Sequence, residues 1–264
     1  MRVALTIAGS DSGAGAGIQA DLKTFAAHGV YAVSAVTAVT AQNTTGIAAT
    51  VPLAADMVTA QIEAVASDFV VHAAKTGMLA NAAIVEAVGA AVADLEIPFL
   101  VVDPVIVASS GYPLLDDEGL LAMKDGLIGR AHVVTPNIPE AEVLSGITIR
   151  NEEQRREAAR RIFALGPMHV LITGGHADGD VIVDLLYDGS VFTNYASQRV
   201  TGPHTHGTGC TFAAALTAHL ALGRALPQAI PLAQEYVAGA IRHAPGLGRG
   251  TGPMNHFWRL NWGG

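Results

Sequence analysis

Cysteine is all but missing from this 264-residue chain, and Cys210 stands alone. One thiol can form neither an intrachain disulfide nor a multi-cysteine metal site, so a reducing, cytoplasmic setting fits best. Charge is also sparse: 14% of residues are Asp, Glu, Lys or Arg, and the 15 basic residues fall short of the 23 acidic ones. A net charge of -8 with scattered Lys and Arg lacks the footprint of a nucleic-acid binder. No apolar stretch reaches the roughly 18 to 20 uninterrupted residues of a membrane span, so no membrane partner is expected. The run Val3 to Ala8 is too short for a leader and runs into a Gly/Asp turn, which marks it as a first buried strand. Internal repeats, low-complexity linkers and boundary signals are missing too, so one domain over residues 1–264 is expected. What the chain does have is apolar material, half of all residues, enough for a large core.

That material is patterned. Short β-branched runs bounded by Gly, Pro or Asp recur at Val3–Ala8, Val33–Thr40, Val70–Thr76, Phe99–Asp103, His132–Thr135 and His169–Thr173, and predict buried parallel strands. Between them, Ile18/Leu22/Phe25, Val58/Ile62/Val65/Phe69 and Ile84/Val85/Val88/Val92/Leu95 repeat at helical period. Alternating strand and helix predicts an α/β fold of three layers, a mostly parallel central sheet with helices on both faces. The charged stretch from Asn151 to Arg161 pairs Glu152 with Arg156 and Glu157 with Arg161 on a solvated helix face. Val181–Tyr187 and Val191–Tyr195, joined through Asp188-Gly189, read as an antiparallel hairpin. The last third is helical.

Three segments carry chemistry. Thr205-His206-Gly207-Thr208-Gly209-Cys210-Thr211 precedes the apolar run Phe212 to Leu222 and reads as a glycine turn opening a buried helix. Unpaired N–H groups at the positive end of a helix suit an anion, and a migrating phosphoryl is one. Cys210 would then lie beside the attacking hydroxyl; alternatively the glycines only turn the chain and Cys210 is a small buried hydrophobe. The second segment, Gly9 to Lys23, has glycines at 13, 15 and 17 that miss the G-x-G-x-x-G spacing of a dinucleotide fold, and no Gly-Lys-Ser/Thr follows. It closes over a small polar substrate or caps the helix beginning near Gly17. In the third, Thr135-Pro136-Asn137-Ile138-Pro139-Glu140, Asn137 and Glu140 share a helical face, and Asp103 ends a neighbouring strand. Such hard oxygen ligands suit magnesium beside nucleotide phosphates, although a helix start with Pro and Asn has the same pattern. Of the ten histidines, His204 and His206 flank the anion turn and His176 follows Gly174-Gly175; no structural metal site assembles from them.

Taken together, Ala8–Ser12, Gly17–Phe25, Ala41-Gln42-Asn43-Thr44, Lys75-Thr76-Gly77-Met78-Leu79, Val102–Val105, Thr135–Asn137 and Thr205–Cys210 resemble the hydroxymethylpyrimidine/phosphomethylpyrimidine kinase family almost end to end. The resemblance implies a ribokinase-like fold, ATP with Mg2+, a monovalent cation as an option of the family, and a homodimer. It further implies transfer of the γ-phosphoryl to the hydroxymethyl group and then to the monophosphate, for thiamin diphosphate synthesis. Carried over by position, Gln42 would bond the aminopyrimidine, Met78 would pack on its ring, and Asp21 and Gly9 would shape the pocket. Asn137, Thr173, Gly175 and His206 would serve the nucleotide, Asp103 and Glu140 the metal, and Gly207, Thr208 and Gly209 the anion hole. Cys210 would be proton acceptor or charge partner, its pKa drawn down from about 8.5 by the helix N-terminus.

The chain departs from that pattern at Thr173 and Ser109, where lysines are usual, and at Tyr112 in place of an Asp. The phosphate side is therefore expected to be poor in positive charge. Rival readings are a pyridoxal kinase of the same lineage and a weakly catalytic pyrimidine-binding regulator.

Overall fold

A computed structural model describes residues 1–95, 97–108, 111–175 and 179–260. Among them, nine strands form one sheet in the order β3-β2-β1-β4-β5-β6-β7-β8-β9. These are β1 (Val3–Asp11), β2 (Tyr31–Asn43), β3 (Gly46–Pro52), β4 (Ala73–Thr76), β5 (Leu100–Val102), β6 (Val133–Val134), β7 (Val170–Ile172), β8 (Val181–Tyr187) and β9 (Phe192–Gln198). The helices are α1 (Gly17–Ala27), α2 (Ala55–Ala66), α3 (Ala82–Asp94), α4 (Asp117–Ala122), α5 (Ile138–Ser145), α6 (Glu152–Phe163), α7 (Thr208–Ala221) and α8 (Leu226–Arg242).

Strands β2, β1, β4, β5, β6 and β7 run parallel, and β3, β8 and β9 add antiparallel margins. Successive strand residues point to opposite faces, and the core divides accordingly. Leu5, Ile7, Ala74, Val102, Val134 and Ile172 face the layer of α2, α3, α5 and α6. Ala4, Ala73, Val101, Val133 and Leu171 face α1, α7 and α8. The three layers expected from the alternation are present. Helix α7 is the central piece of the second layer, with every residue from Thr211 to Ala221 buried, which is why its sequence has no polar stripe.

Element ends moved in a consistent way. The expected strand Val70–Thr76 shrinks to β4 because Val70 is exposed and precedes the sheet. Strands β1 and β2 instead run past their apolar runs, to Asp11 and Asn43, because neighbouring strands still supply pairing partners there. Strand β3 was not read from sequence. It is an edge strand with no buried residue, so it has no apolar alternation, and its terminal Pro52 is tolerated only at such a margin. The Asp188-Gly189 hairpin is present but its loop is wider than two residues: Gly189 has φ +91°, and Asp188 Oδ1 accepts from the N–H groups of Ser190 and Val191. The Glu152–Arg156 and Glu157–Arg161 pairs form on exposed α6, at 3.2 and 3.1 Å.

Candidate active site

The carboxyl ends of the parallel strands share one edge of the sheet, and each delivers a residue there. Strand β1 ends at Asp11, β4 leads to Met78, β5 to Asp103, β6 to Asn137 and β7 to Thr173. The N-terminus of α7 points into the same edge. Its N-cap is Gly207 at φ +81°, with no side chain capping the helix. The first amides are thereby left for a ligand rather than a Ser or Asp oxygen. Thr208 Oγ1 is turned back onto Thr205 O at 2.7 Å, and Gly209 faces open space.

Opposite α7 lies the Gly13–Gly15 turn, built on Asp11. Its carboxylate, 3% exposed, accepts from the N–H groups of Gly13, Gly15 and Ala16 and from His206 Nε2 at 3.0 Å. Burial pushes Asp11 upward, but the His206 contact and the Ala16 and Gly13 amides outweigh it, leaving the carboxyl below its ordinary value. His206, which the resemblance assigns to the nucleotide, sits against the Gly13–Gly15 turn. Gln42 comes to the same place. Its side-chain amide lies 3.2 Å from His206 Nε2 and 3.1 Å from Thr40 Oγ1, and Ser12 Oγ bonds both its N–H and its carbonyl. A cleft of about 470 Å³ opens beside it, lined by Ser12, Gln42, Asn43 and Ile47. Met78 packs with Ala38 and Leu114, and a Cβ on Gly9 would come within 3.0 Å of its sulfur, so the missing side chain at Gly9 leaves Met78 its position.

Beneath this surface is a buried charge cluster. Lys75 Nζ donates to Asp21 Oδ2 at 3.0 Å and lies 3.8 Å from Asp103 Oδ2, with Thr6 Oγ1 also donating to Asp21 at 2.6 Å. Asp21 has no exposed surface, so it does not line an open pocket as the resemblance suggests; it reaches the site through Lys75. Burial raises Asp21, and the Lys75 charge and the Thr6 hydroxyl only partly offset that. Asp103 is raised to about 6 by burial against the pull of Lys75.

Cys210 corrects the sequence expectation. Burial pushes its thiol up to about 12; Lys75 pulls it down, but Asp103 and Asp21 push it up again. The helix N-terminus was weighed alone in the sequence reading, and desolvation exceeds it. Burial favours the neutral thiol, which is a hydrogen-bond partner of Asp103.

On the nucleotide side, Asn137 and Glu140 form a capping box at the start of α5: Asn137 Oδ1 accepts from Glu140 N–H, and Glu140 Oε2 accepts from Asn137 N–H, both at 2.9 Å. The helix-start reading of that spacing is the one the structure shows. Burial and then the Asp103 charge raise Glu140 to about 8, so these two carboxyls are close, and Asp103 Oδ2 has no hydrogen-bond partner. That orphaned buried oxygen, 3.8 Å from Lys75 Nζ, is a hard donor of the kind a divalent cation takes. Thr173 pairs with Asn137, its N–H donating to Pro136 O at 2.9 Å. Gly175 is exposed, and its carbonyl accepts from Arg199 Nη1 at 2.8 Å. Ser109 and His176 lie outside the described residues.

Sequence reading missed Asp11, Lys75 and Arg199. A lone lysine inside an apolar strand run is the signal that could have found Lys75, and an acid between a strand and a glycine turn the one for Asp11. Nothing local marks Arg199, which arrives from the antiparallel margin.

The profile of the phosphomethylpyrimidine kinase family matches residues 11–255. The chain belongs to that family. It is 49% identical over 255 residues to the hydroxymethylpyrimidine/phosphomethylpyrimidine kinase of Bacillus subtilis, covering 96% of this chain and 94% of that one. Among solved structures, this kinase superposes on the ADP complex of Bacillus subtilis pyridoxal kinase with a TM-score of 0.91 at 39% identity, over 99% and 100% of the two chains. It superposes on the phosphomethylpyrimidine kinase of Clostridium difficile with a TM-score of 0.82 at 42% identity, over 91% and 100%. The fold is accordingly ribokinase-like. Among the described residues no helix is long and apolar enough to cross a membrane, and no group of three or more His, Cys, Asp or Glu is arranged to hold a metal.

Proposed function

We propose that this kinase transfers the γ-phosphoryl of ATP to the hydroxymethyl group of hydroxymethylpyrimidine and then to the resulting monophosphate, as a single-domain cytoplasmic homodimer in thiamin diphosphate synthesis. The observation that carries the proposal is the convergence, at one sheet edge, of Gln42, Met78 and Gly9 with the uncapped amides of α7. Gln42 offers a donor and an acceptor to an aminopyrimidine edge, and the Met78 sulfur a soft surface to its ring. The Gly207–Gly209 amides would stabilise charge on the migrating phosphoryl. Asp103 and Glu140 would hold Mg2+, which when bound neutralises phosphate charge. Asn137, Thr173 and Gly175 lie where the nucleotide would lie along α5. Because burial favours the neutral Cys210 thiol, the thiol meets the attacking hydroxyl as a hydrogen-bond partner, and Lys75 is the cation that favours its thiolate. A single assay tests the reading: purified protein with ATP and Mg2+ is offered hydroxymethylpyrimidine, its monophosphate and pyridoxal, and products are weighed by mass spectrometry. Phosphorylation of the pyrimidines is expected; binding of pyrimidine with no product would identify a regulator instead.

One observation favours a second activity. The pyridoxal kinase superposes over more of this chain than the Clostridium difficile structure does, so pyridoxal is the competing alcohol in that panel. A specificity ratio above one for pyridoxal would replace the pyrimidine reading.

A further inference from the structure

Gln42 Nε2 and Asp11 Oδ2 compete for one atom, His206 Nε2, at 3.2 and 3.0 Å. Asp11 is held in its ionised form by three backbone donors, the N–H groups of Gly13, Gly15 and Ala16, and can only accept. His206 Nε2 must therefore carry a hydrogen and donate to it. An N–H cannot also accept from the Gln42 amide nitrogen. The amide of Gln42 is consequently turned with its oxygen toward His206 and its nitrogen toward Thr40 Oγ1, the orientation that the hydrogen-bond pattern requires. Thr40 accommodates it, because its hydroxyl donates to Ser10 O at 3.0 Å and so has a lone pair free for the amide.

We infer that His206, keyed by Asp11, is a specificity-determining positioning residue: its Nε2–H fixes which end of the Gln42 amide is donor and which is acceptor toward a bound heteroaromatic ring. The inference rests on the pyrimidine reading of Gln42 given above. The backbone of Gln42 is clamped by Ser12 Oγ at 2.8 and 2.7 Å, so the side-chain amide is the freedom left to fix. A Cβ at Gly15 would collide with His206 Cδ2, so the imidazole is wedged against the turn that Asp11 organises. Its side chain is 14% exposed, which leaves little room for it to turn. An amide held one way complements a ring carrying an amino donor next to a ring-nitrogen acceptor. The same amide reversed would complement a 4-oxo ring with a protonated nitrogen. Discrimination between the two is then a property of His206, although His206 need not touch the substrate.

The test compares His206→Phe, which keeps the ring and removes the donor, with His206→Gln, whose amide nitrogen can reach the place of Nε2. Affinities for 4-amino-5-hydroxymethyl-2-methylpyrimidine and its 4-oxo analogue are measured by calorimetry, with KM for ATP alongside. In His206→Phe the amino-over-oxo preference is expected to fall at least tenfold with KM for ATP unchanged, and in His206→Gln most of the preference is expected to return. In a Gln42→Ala background, His206→Phe should have no further effect on the preference. An unchanged preference in His206→Phe, or effects of the two substitutions that simply multiply, overturns the inference while leaving Gln42 in the pocket. A Gln42→Ala protein that binds the pyrimidine as well as the parent overturns the pocket reading itself. A shift confined to KM for ATP would return His206 to the nucleotide.

Discussion

Lys75 donates to Asp21 at 3.0 Å with neither side chain exposed to solvent, inside the layer between β1, β4 and α1. Removing one member leaves the other charge buried and unmatched, which typically costs about 3–5 kcal/mol, whereas replacing both by apolar groups is often nearly neutral. Lys75→Met and Asp21→Leu are each expected to destabilise on that scale in urea titrations, and the double variant by clearly less than either sum. Strict additivity would show that the two charges do not depend on one another.

Gly207 and Gly209 flank Thr208 yet face opposite constraints. A Cβ on Gly207 would strike the Gly15 carbonyl, at a φ of +81°, whereas a Cβ on Gly209 meets nothing within 4 Å. Gly207→Ala should therefore lose stability, by about 1–3 kcal/mol for the backbone conformation alone. Gly209→Ala should keep or gain up to about 1 kcal/mol through helix propensity, while phosphoryl transfer falls at least tenfold because the methyl group occupies the anion's place. A fully active Gly209→Ala enzyme would move the phosphoryl elsewhere.

A thiol pushed up to about 12 is unreactive toward alkylation near neutrality. At pH 8 its thiolate fraction lies roughly a thousandfold below that of an ordinary cysteine, so iodoacetamide labelling of Cys210 should be slower by about that factor. Cys210→Ala is expected to lower the single-turnover rate more than it weakens pyrimidine binding. Rapid labelling at pH 7.5 would restore the thiolate expected from the helix N-terminus.

Glu140 is raised to about 8 and Asp103 to about 6, so the native protein without metal holds protons there that the unfolded chain has released. The stability these groups contribute is full below about pH 4 and is lost as pH rises through 6 and 8. Glu140→Gln should thus be the more stable protein at pH 8.5 without magnesium, its advantage fading toward pH 5. The magnesium needed for half-maximal rate should fall between pH 6 and 8.5 in the parent enzyme. A metal requirement independent of pH would separate these carboxyls from the cation.

The second transfer brings a substrate phosphate toward the γ-phosphate of ATP. Like charges about 4 Å apart repel by about 4 kcal/mol at an effective dielectric of 20, enough for hundreds-fold in rate. Thr173 brings no charge, and Arg199 is engaged by the carbonyls of Gly175 and Gly179. The alcohol should accordingly turn over faster than the monophosphate, and Thr173→Lys should raise monophosphate turnover selectively at matched magnesium and ionic strength. Equal gains on both substrates would mean the charge is supplied from elsewhere.

How much of this was legible in the sequence follows the range of the interactions. The glycine turn that opens α7 was readable because its glycines, its helix and Cys210 are contiguous, and the sheet because each strand's apolar run is local. Asp11 and Lys75 were not, because what makes a buried acid or lysine tolerable lies far along the chain: His206 is 195 residues from Asp11, and Asp21 is 54 from Lys75. The Cys210 pKa runs opposite to the local expectation for the same reason: the burial that raises it most, and then Asp103 and Asp21, come from other elements. Strand β3 escaped notice because an edge strand exposed on both faces has no pattern to read.

Helix α7 fills the centre of one sheet face, yet its residues are among the last quarter of the chain to be made. During synthesis at about 5–20 residues per second, the apolar side of β1, β4, β5 and β6 that will meet α7 exists for roughly four seconds or more before its cover does. A nascent chain stalled near residue 200 should therefore be cut by protease within β1 and bind a hydrophobic dye, and one stalled with α7 clear of the ribosome should do neither. Helix α7 thus docks only after every strand has been made, and the Gly207–Gly209 turn forms with it.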